Sequence, residues 1–266
     1  MTSEKRNILN QLFQVWPHGS VAVTSWLKSQ GASQQLVHKY EKSGWVRRVA
    51  RGAYVRAGDE VDWSGGLNAV QNQLNLPIHV ADKTALQLQG YAHFLPLGKG
   101  GMLSLFGPPG TRLPAWFKQC DWGMELRYTT ALLFSDNAGI GLTQKDMGAF
   151  SIRISAPERA IMELLYLVPT KESFEEGSLL MEGLATLRPE MVQRLLEQCR
   201  SVKVKRLFLY LAEQNNHSWM DKLDQSGINL GKGKRVVVKG GHLNTKYNIT
   251  VPGPASAREV PMEQVT

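Results

Sequence analysis

Apolar residues near the start of the chain recur at helical spacing. In "EKRNILNQLFQVW", Ile8, Leu9, Leu12, Phe13 and Trp16 share one stripe, and Pro17 with Gly19 ends it, which predicts an opening helix. After the brief "VAV", the stretch "TSWLKSQG" predicts a second helix with Thr24 as N-cap and Gly31 as its stop. Ser33 then caps a third, "QQLVHKYEKS", which Gly44 closes. The segments "WVRRV" and "AYVR" flank "ARG", where Gly52 supplies the permissive residue of a hairpin turn. Helix, helix, short turn, helix and hairpin is the order of a winged helix-turn-helix. The following "AGDEVDWSGG" turns from basic to acidic and carries three glycines, placing a boundary near Asp59.

The middle of the chain mixes periods. "WSGGLNAVQNQL" reads as helix, "PIHVA" as strand, and "DKTALQLQG" as a helix capped by Asp82 and stopped by Gly90. "MLSLFG" and "ELRYTTALLF" read as strands around the loop "GPPGTRLP", and "FSIRIS" as another. That strand feeds "APERAIMELLYLVP", where Pro157 suits a first helical turn and Pro169 ends the apolar run. "FEEGSLLMEGLATL", "RPEMVQRLLEQC" and "KVKRLFLYLAEQ" are helical, "KRVVVKGG" and "YNITVP" extended. The expected fold class is α+β: a winged helix-turn-helix over residues 1–58, a mixed α/β domain over 59–168, a helical part with short strands over 169–251, and a flexible tail over 252–266.

Composition adds a sign to this layout. The 266 residues carry a formal net charge of +8, unevenly spread. Residues 1–58 hold nine Lys/Arg against Glu4 and Glu41, a net +7; residues 59–199 sum to −5, and residues 200–246 again to +7. A chain basic at both ends and mildly acidic between favours a polyanionic partner for at least one end. No apolar run reaches the length of a membrane span and no signal-peptide core opens the chain, so a cytoplasmic protein is expected. Cys120 and Cys199 match no metal or redox spacing and read as buried thiols.

On a helical wheel of the third helix, Leu36, Val37 and Tyr40 gather on one side. Gln34, Gln35, His38, Lys39 and Lys42 spread over the other, with Glu41 on the flank. Amide, imidazole and ammonium groups without a central carboxylate suit a DNA major groove, and the helix start at Ser33 can face a phosphate. Arg47, Arg48, Arg51 and Arg56 sit on or beside the hairpin, placed to straddle a backbone or enter a minor groove. A lone basic run is ordinarily solvated surface; here element order, charge and the acid-poor face agree on duplex DNA.

The stretch "TSWLKSQGASQQLVHKYEKSGWVRRVARGAYVRAGD" resembles the AbiEi family, antitoxins of bacterial type IV toxin–antitoxin (abortive infection) systems, in its helix pair, "GW" step and basic "RGAYV" hairpin. "HVADKTALQLQG" and "SIRISAPERAIMELL" resemble the family's middle region, so the likeness covers roughly residues 5 to 215. The resemblance implies an N-terminal winged helix that binds inverted repeats in its own promoter and represses the operon. It also implies a larger C-terminal antitoxin region that counters a nucleotidyltransferase-type toxin, directly or indirectly. The family's DNA-contacting helix and wing map onto Gln34, Gln35, His38, Lys39, Lys42, Arg47, Arg48 and Arg51, joined by Ser33 at the helix start. No compact motif marks the toxin-countering surface. Its candidates are the cations of "RSVKVKRLFLYLAEQ" and "GKGKRVVVKGG": Lys203, Lys205, Arg206, Lys232, Lys234 and Arg235, which could equally meet more DNA.

Enzymatic motifs are weak. Asp121, Glu125 and Arg127 in "DWGMELRY" loosely echo the carboxylates of metal-dependent nucleases, but an ordinary ion pair of Glu125 and Arg127 on one strand face explains them as well. "GINLGKGKR" lacks the spacing of a P-loop, "GKGG" from Gly98 to Gly101 reads as a flexible turn, and His18, His38, His79, His93, His217 and His242 never fall at metal-ligand spacing. Glu158 and Arg159 of "PERA" read as architecture, with Glu158 suited to a helix N-terminus. No catalytic residue, metal or cofactor is expected. Two alternatives of other classes remain: a metal-dependent nuclease with a DNA-binding front end, and a ligand-sensing regulator without a toxin partner.

Overall fold

The computed structural model describes residues 3–91, 100–135 and 139–253, with only the backbone at residues 3–7. His93, the start of "GKGG" and the tail from residue 254 lie outside the described residues. The fold is a mixed α+β arrangement, and the chain divides into two compact units: residues 1–132 with 137–160, and residues 133–136 with 161–266.

The first unit opens with α1 (Ser3–Val15), β1 (Ala22–Val23), α2 (Thr24–Ser29), α3 (Gln34–Lys42), β2 (Val46–Ala50) and β3 (Ala53–Arg56). The stripe read from the sequence is the core: Leu9, Leu12 and Trp16 of the first stripe are buried with Leu27, Leu36, Val37, Tyr40, Val46 and Tyr54, while Ile8 and Phe13 pack partly buried against them. Trp16 Nε1 donates to Ser20 O at 3.0 Å, so the indole is buried without an orphaned donor. The three strands form an antiparallel sheet in the order β1-β3-β2, and Gly52 takes φ +83° at the hairpin turn. Thr24 differs from expectation. Val23 is the N-cap position, and Thr24 donates from its backbone N–H and its hydroxyl to Gly52 O at 3.0 and 3.3 Å. It thereby ties α2 to the hairpin turn.

Residues 59–73 are bonded back to this assembly. Asp59 accepts from Gly19 N–H at 2.9 Å and meets His18 Nδ1 at 3.1 Å, and Asp62 caps α4 (Trp63–Asn68) through Ser64 and Gly65. Val21 N–H donates to Gly65 O, and a Cβ on Gly65 would lie 1.9 Å from Gly19 O, so only glycine permits this approach. A π-helical turn over Ala69–Gln73 follows, and the Gln73 amide bridges β1 by accepting from Val23 N–H at 2.9 Å and donating to Val21 O at 2.8 Å.

The rest of the unit is built on a five-stranded sheet in the order β6-β5-β4-β8-β7: β4 (His79–Val80), β5 (Met102–Gly107), β6 (Glu125–Thr130), β7 (Leu142–Asp146) and β8 (Ser151–Ser155). β5 and β6 run parallel, with the short α6 (Ala115–Gln119) in their connection. Gln71 acts as an extra rung between β4 and β8, donating to Ile78 O and Arg153 O and accepting from Arg153 N–H. α5 (Asp82–Leu88) departs from the expected cap: Ala81 holds the N-cap position, and Asp82 is a fully buried first residue at φ +39°.

α7 (Pro157–Leu167) starts in the first unit and continues in the second, with Glu158 and Arg159 both buried and Arg159 Nη1 donating to Ile140 O at 2.7 Å. The second unit adds α8 (Phe174–Glu182), α9 (Pro189–Gln198) and α10 (Val202–Gln214). A three-stranded sheet follows in the order β10-β11-β9, from β9 (Arg235–Val236), β10 (His242–Asn244) and β11 (Ile249–Val251). α10 is buried along most of its length and packs against both α8 and β11. Trp219 closes this core, stacked on His217 at 5.3 Å and donating to Leu184 O at 2.9 Å.

Candidate nucleic-acid interface

α3 positions its polar side chains through its own amphipathicity. Leu36, Val37 and Tyr40 are buried, whereas Gln34, Gln35, His38, Lys39 and Lys42 are exposed on the opposite side. Ser33 is the N-cap, its Oγ accepting from Leu36 N–H at 3.3 Å, and the first turn carries no acid. The helix start thus combines a fixed geometry with the positive end of the helix dipole. Arg47, Arg48 and Arg51 are exposed on the adjoining hairpin. All nine expected DNA-facing residues therefore lie on the surface of α3, its cap and the hairpin.

The arginines are not equivalent. Successive strand residues point to opposite faces, so Arg47 and Arg48 leave the hairpin on different sides. Arg48 turns towards α3: its Nη2 donates to Glu41 Oε2 at 3.0 Å, and its guanidinium carbon lies 5.4 Å from the Tyr54 ring centre. His38 Nδ1 stands 3.6 Å from the same Glu41 oxygen. Glu41, read as a bystander on the helix flank, thus ties helix to hairpin and offsets part of the local charge. Among the described residues Lys39, Lys42, Arg47 and Arg51 have no ion-pair partner.

Arg56 is a correction. Its guanidinium points inward, donating to Phe13 O at 3.4 Å and Trp16 O at 2.9 Å with its carbon 4.4 Å from the Phe13 ring centre. It satisfies carbonyls at the end of α1, which a free wing cation would not do. Trp45, 47% exposed between Gly44 and Val46, escaped the sequence reading; its place directly after the helix-stopping glycine was the available signal.

The candidate partner-facing cations divide. Arg206 is only 3% exposed and donates to four carbonyls: Nε to Leu230 O (2.8 Å), Nη1 to Gly233 O (2.6 Å) and Asn248 O (3.0 Å), and Nη2 to Gly231 O (3.0 Å). Lys203 donates to Tyr166 O at 2.8 Å and to Val168 O, and burial lowers its pKa. Lys205 is 5% exposed. These three do not present charge to a partner; α10 turns them inward, where they hold backbone carbonyls or lie buried. Lys232, Lys234 and Arg235 are exposed.

Of the nuclease-like residues, Asp121 Oδ1 accepts from Gly123 N–H at 2.9 Å, and Glu125 is exposed on the edge strand β6. Among the described residues no three His, Cys, Asp or Glu side chains converge as metal ligands. No helix among them is long and apolar enough to cross a membrane.

Comparison with known proteins bears on the whole arrangement. A search of curated proteins finds no match. The crystal structure of the RV2827C protein from Mycobacterium tuberculosis shares the fold, with a TM-score of 0.58 at 14% identity over 94% of this chain and 91% of that one. Residues 5–97 match the family described as "Transcriptional regulator, AbiEi antitoxin N-terminal domain". Residues 101–252 match "Transcriptional regulator, AbiEi antitoxin, Type IV TA system". The chain belongs to the AbiEi family of transcriptional regulators, antitoxins of type IV toxin–antitoxin systems.

Proposed function

We propose that residues 1–58 act as a winged helix-turn-helix that binds inverted repeats of double-stranded DNA in its own promoter and represses the operon in the cytoplasm. Residues 59–168 and 169–251 together form the antitoxin region, which counters a nucleotidyltransferase-type toxin directly or indirectly. The observation that carries the DNA reading is the exposed face of α3 with its neighbouring hairpin. It offers Gln34, Gln35, His38, Lys39 and Lys42 beside Arg47 and Arg51, with its one acid occupied by Arg48. Phosphate contacts from the cations set affinity, and the amides and His38 read base edges. In the antitoxin region, Lys232, Lys234 and Arg235 are the surface cations open to a protein partner.

A gel-shift series on the promoter fragment tests the first part. Gln35→Ala relaxes specificity, losing about 1–3 kcal/mol of discrimination at one base position. Arg47→Ala weakens binding to every sequence and lowers the salt slope by about 1. If both variants bind and discriminate as the parent does, the assignment fails.

A further inference from the structure

The second unit carries two exposed faces of opposite character. On α8, Glu175, Leu179 and Glu182 fall at i, i+4 and i+7, all exposed, with Leu179 at 59%. No Lys or Arg lies within Phe174–Glu182. On the terminal sheet, Val236 and Leu243 are both paired with Thr250 of the central strand, so they share one side of the sheet, 57% and 42% exposed. Exposed Lys232, Lys234, Arg235 and Lys239 flank them, and no Asp or Glu occurs from residue 225 to residue 253. Arg206 keeps this cationic loop rigid through the four carbonyls it binds from beneath.

We infer that the terminal sheet face docks onto α8 of a second copy of this chain. This names the partner of the basic surface and rests on reading that surface as a protein interface. A phosphodiester backbone has no use for the Val236–Leu243 ridge, whereas a protein interface places apolar side chains at its centre and charge at its rim. Leu179 between two glutamates is the matching pattern: apolar against apolar, carboxylate against Lys234 and Arg235. The contact is heterologous, each copy offering a different face, so it is able to extend from one bound molecule to the next along DNA.

Sedimentation of the full chain across a concentration series at low salt tests this. The parent is expected to associate, and added salt to weaken the association. Glu175→Lys with Glu182→Lys, or Lys234→Glu with Arg235→Glu, makes each chain at least about tenfold weaker in self-association. Mixing the two variants restores a one-to-one pair, because each retains the face the other has lost; that recovery also shows both to be folded. A parent that stays monomeric, variants that associate as the parent does, or a mixture that stays monomeric overturns the proposal. The same proteins in the promoter gel shift report DNA binding separately, so loss of self-association and failure of the DNA reading are told apart.

Discussion

A buried guanidinium with four carbonyls around it behaves differently from the surface cation that its basic sequence context suggests. Arg206 is fixed by acceptors at Leu230, Gly231, Gly233 and Asn248. Lysine presents one point of charge instead of a planar fork, so Arg206→Lys leaves several carbonyls without a donor and costs about 1–3 kcal/mol. Urea unfolding with the denaturation midpoint as readout checks this, and the basic loop should lose its protection from proteolysis first. The two thiols differ in the same way. Burial raises the Cys199 pKa to about 11, whereas Cys120 is only half-buried. Because the thiolate is the nucleophile, Cys120 is expected to label first at mildly alkaline pH, and Cys199 only on unfolding, as followed by mass spectrometry.

At the scale of elements, the Glu41–Arg48 pair joins α3 to the hairpin and moderates its charge. Glu41→Gln removes the carboxylate and frees a cation beside the DNA-facing surface. Binding to all sequences should tighten by roughly two- to tenfold at low salt, and the salt slope should steepen by about 1. The stability change stays under about 1 kcal/mol, since the pair is largely solvated. A parent-like salt slope in gel shifts would count against a DNA-facing role for this surface. The sequence made α1, α3 and the hairpin legible because each has a buried stripe and a turn residue with one physical reading. It hid β7, whose "LTQKD" is a polar edge strand with little burial to pattern it, and α6, too short to show a period. The inward roles of Arg56, Lys203 and Arg206 were equally hidden, because their acceptors are carbonyls brought near only by tertiary packing.

Within the first unit, the DNA-facing elements and the five-stranded sheet are not separable by cutting the chain. Asp59 holds Gly19 N–H, Gly65 O accepts from Val21 N–H, and the Gln73 amide bonds both Val21 and Val23. Deleting residues 1–58 strips partners from Asp59, Gly65 and Gln73 and uncovers the side chains they lie among. Each polar group left buried and unpaired costs about 1–3 kcal/mol. The deletion is therefore expected to lower the melting temperature, and to abolish growth protection against the toxin together with repression. Replacing Lys39, Lys42 and Arg47 by alanine in the full chain touches only exposed side chains, so stability holds while promoter binding is lost. Co-expression with the toxin then separates the two activities: protection by the triple variant, alongside derepression of a promoter reporter, places toxin countering outside the α3 surface. Loss of protection by the triple variant at parent-like stability would instead tie both activities to DNA binding.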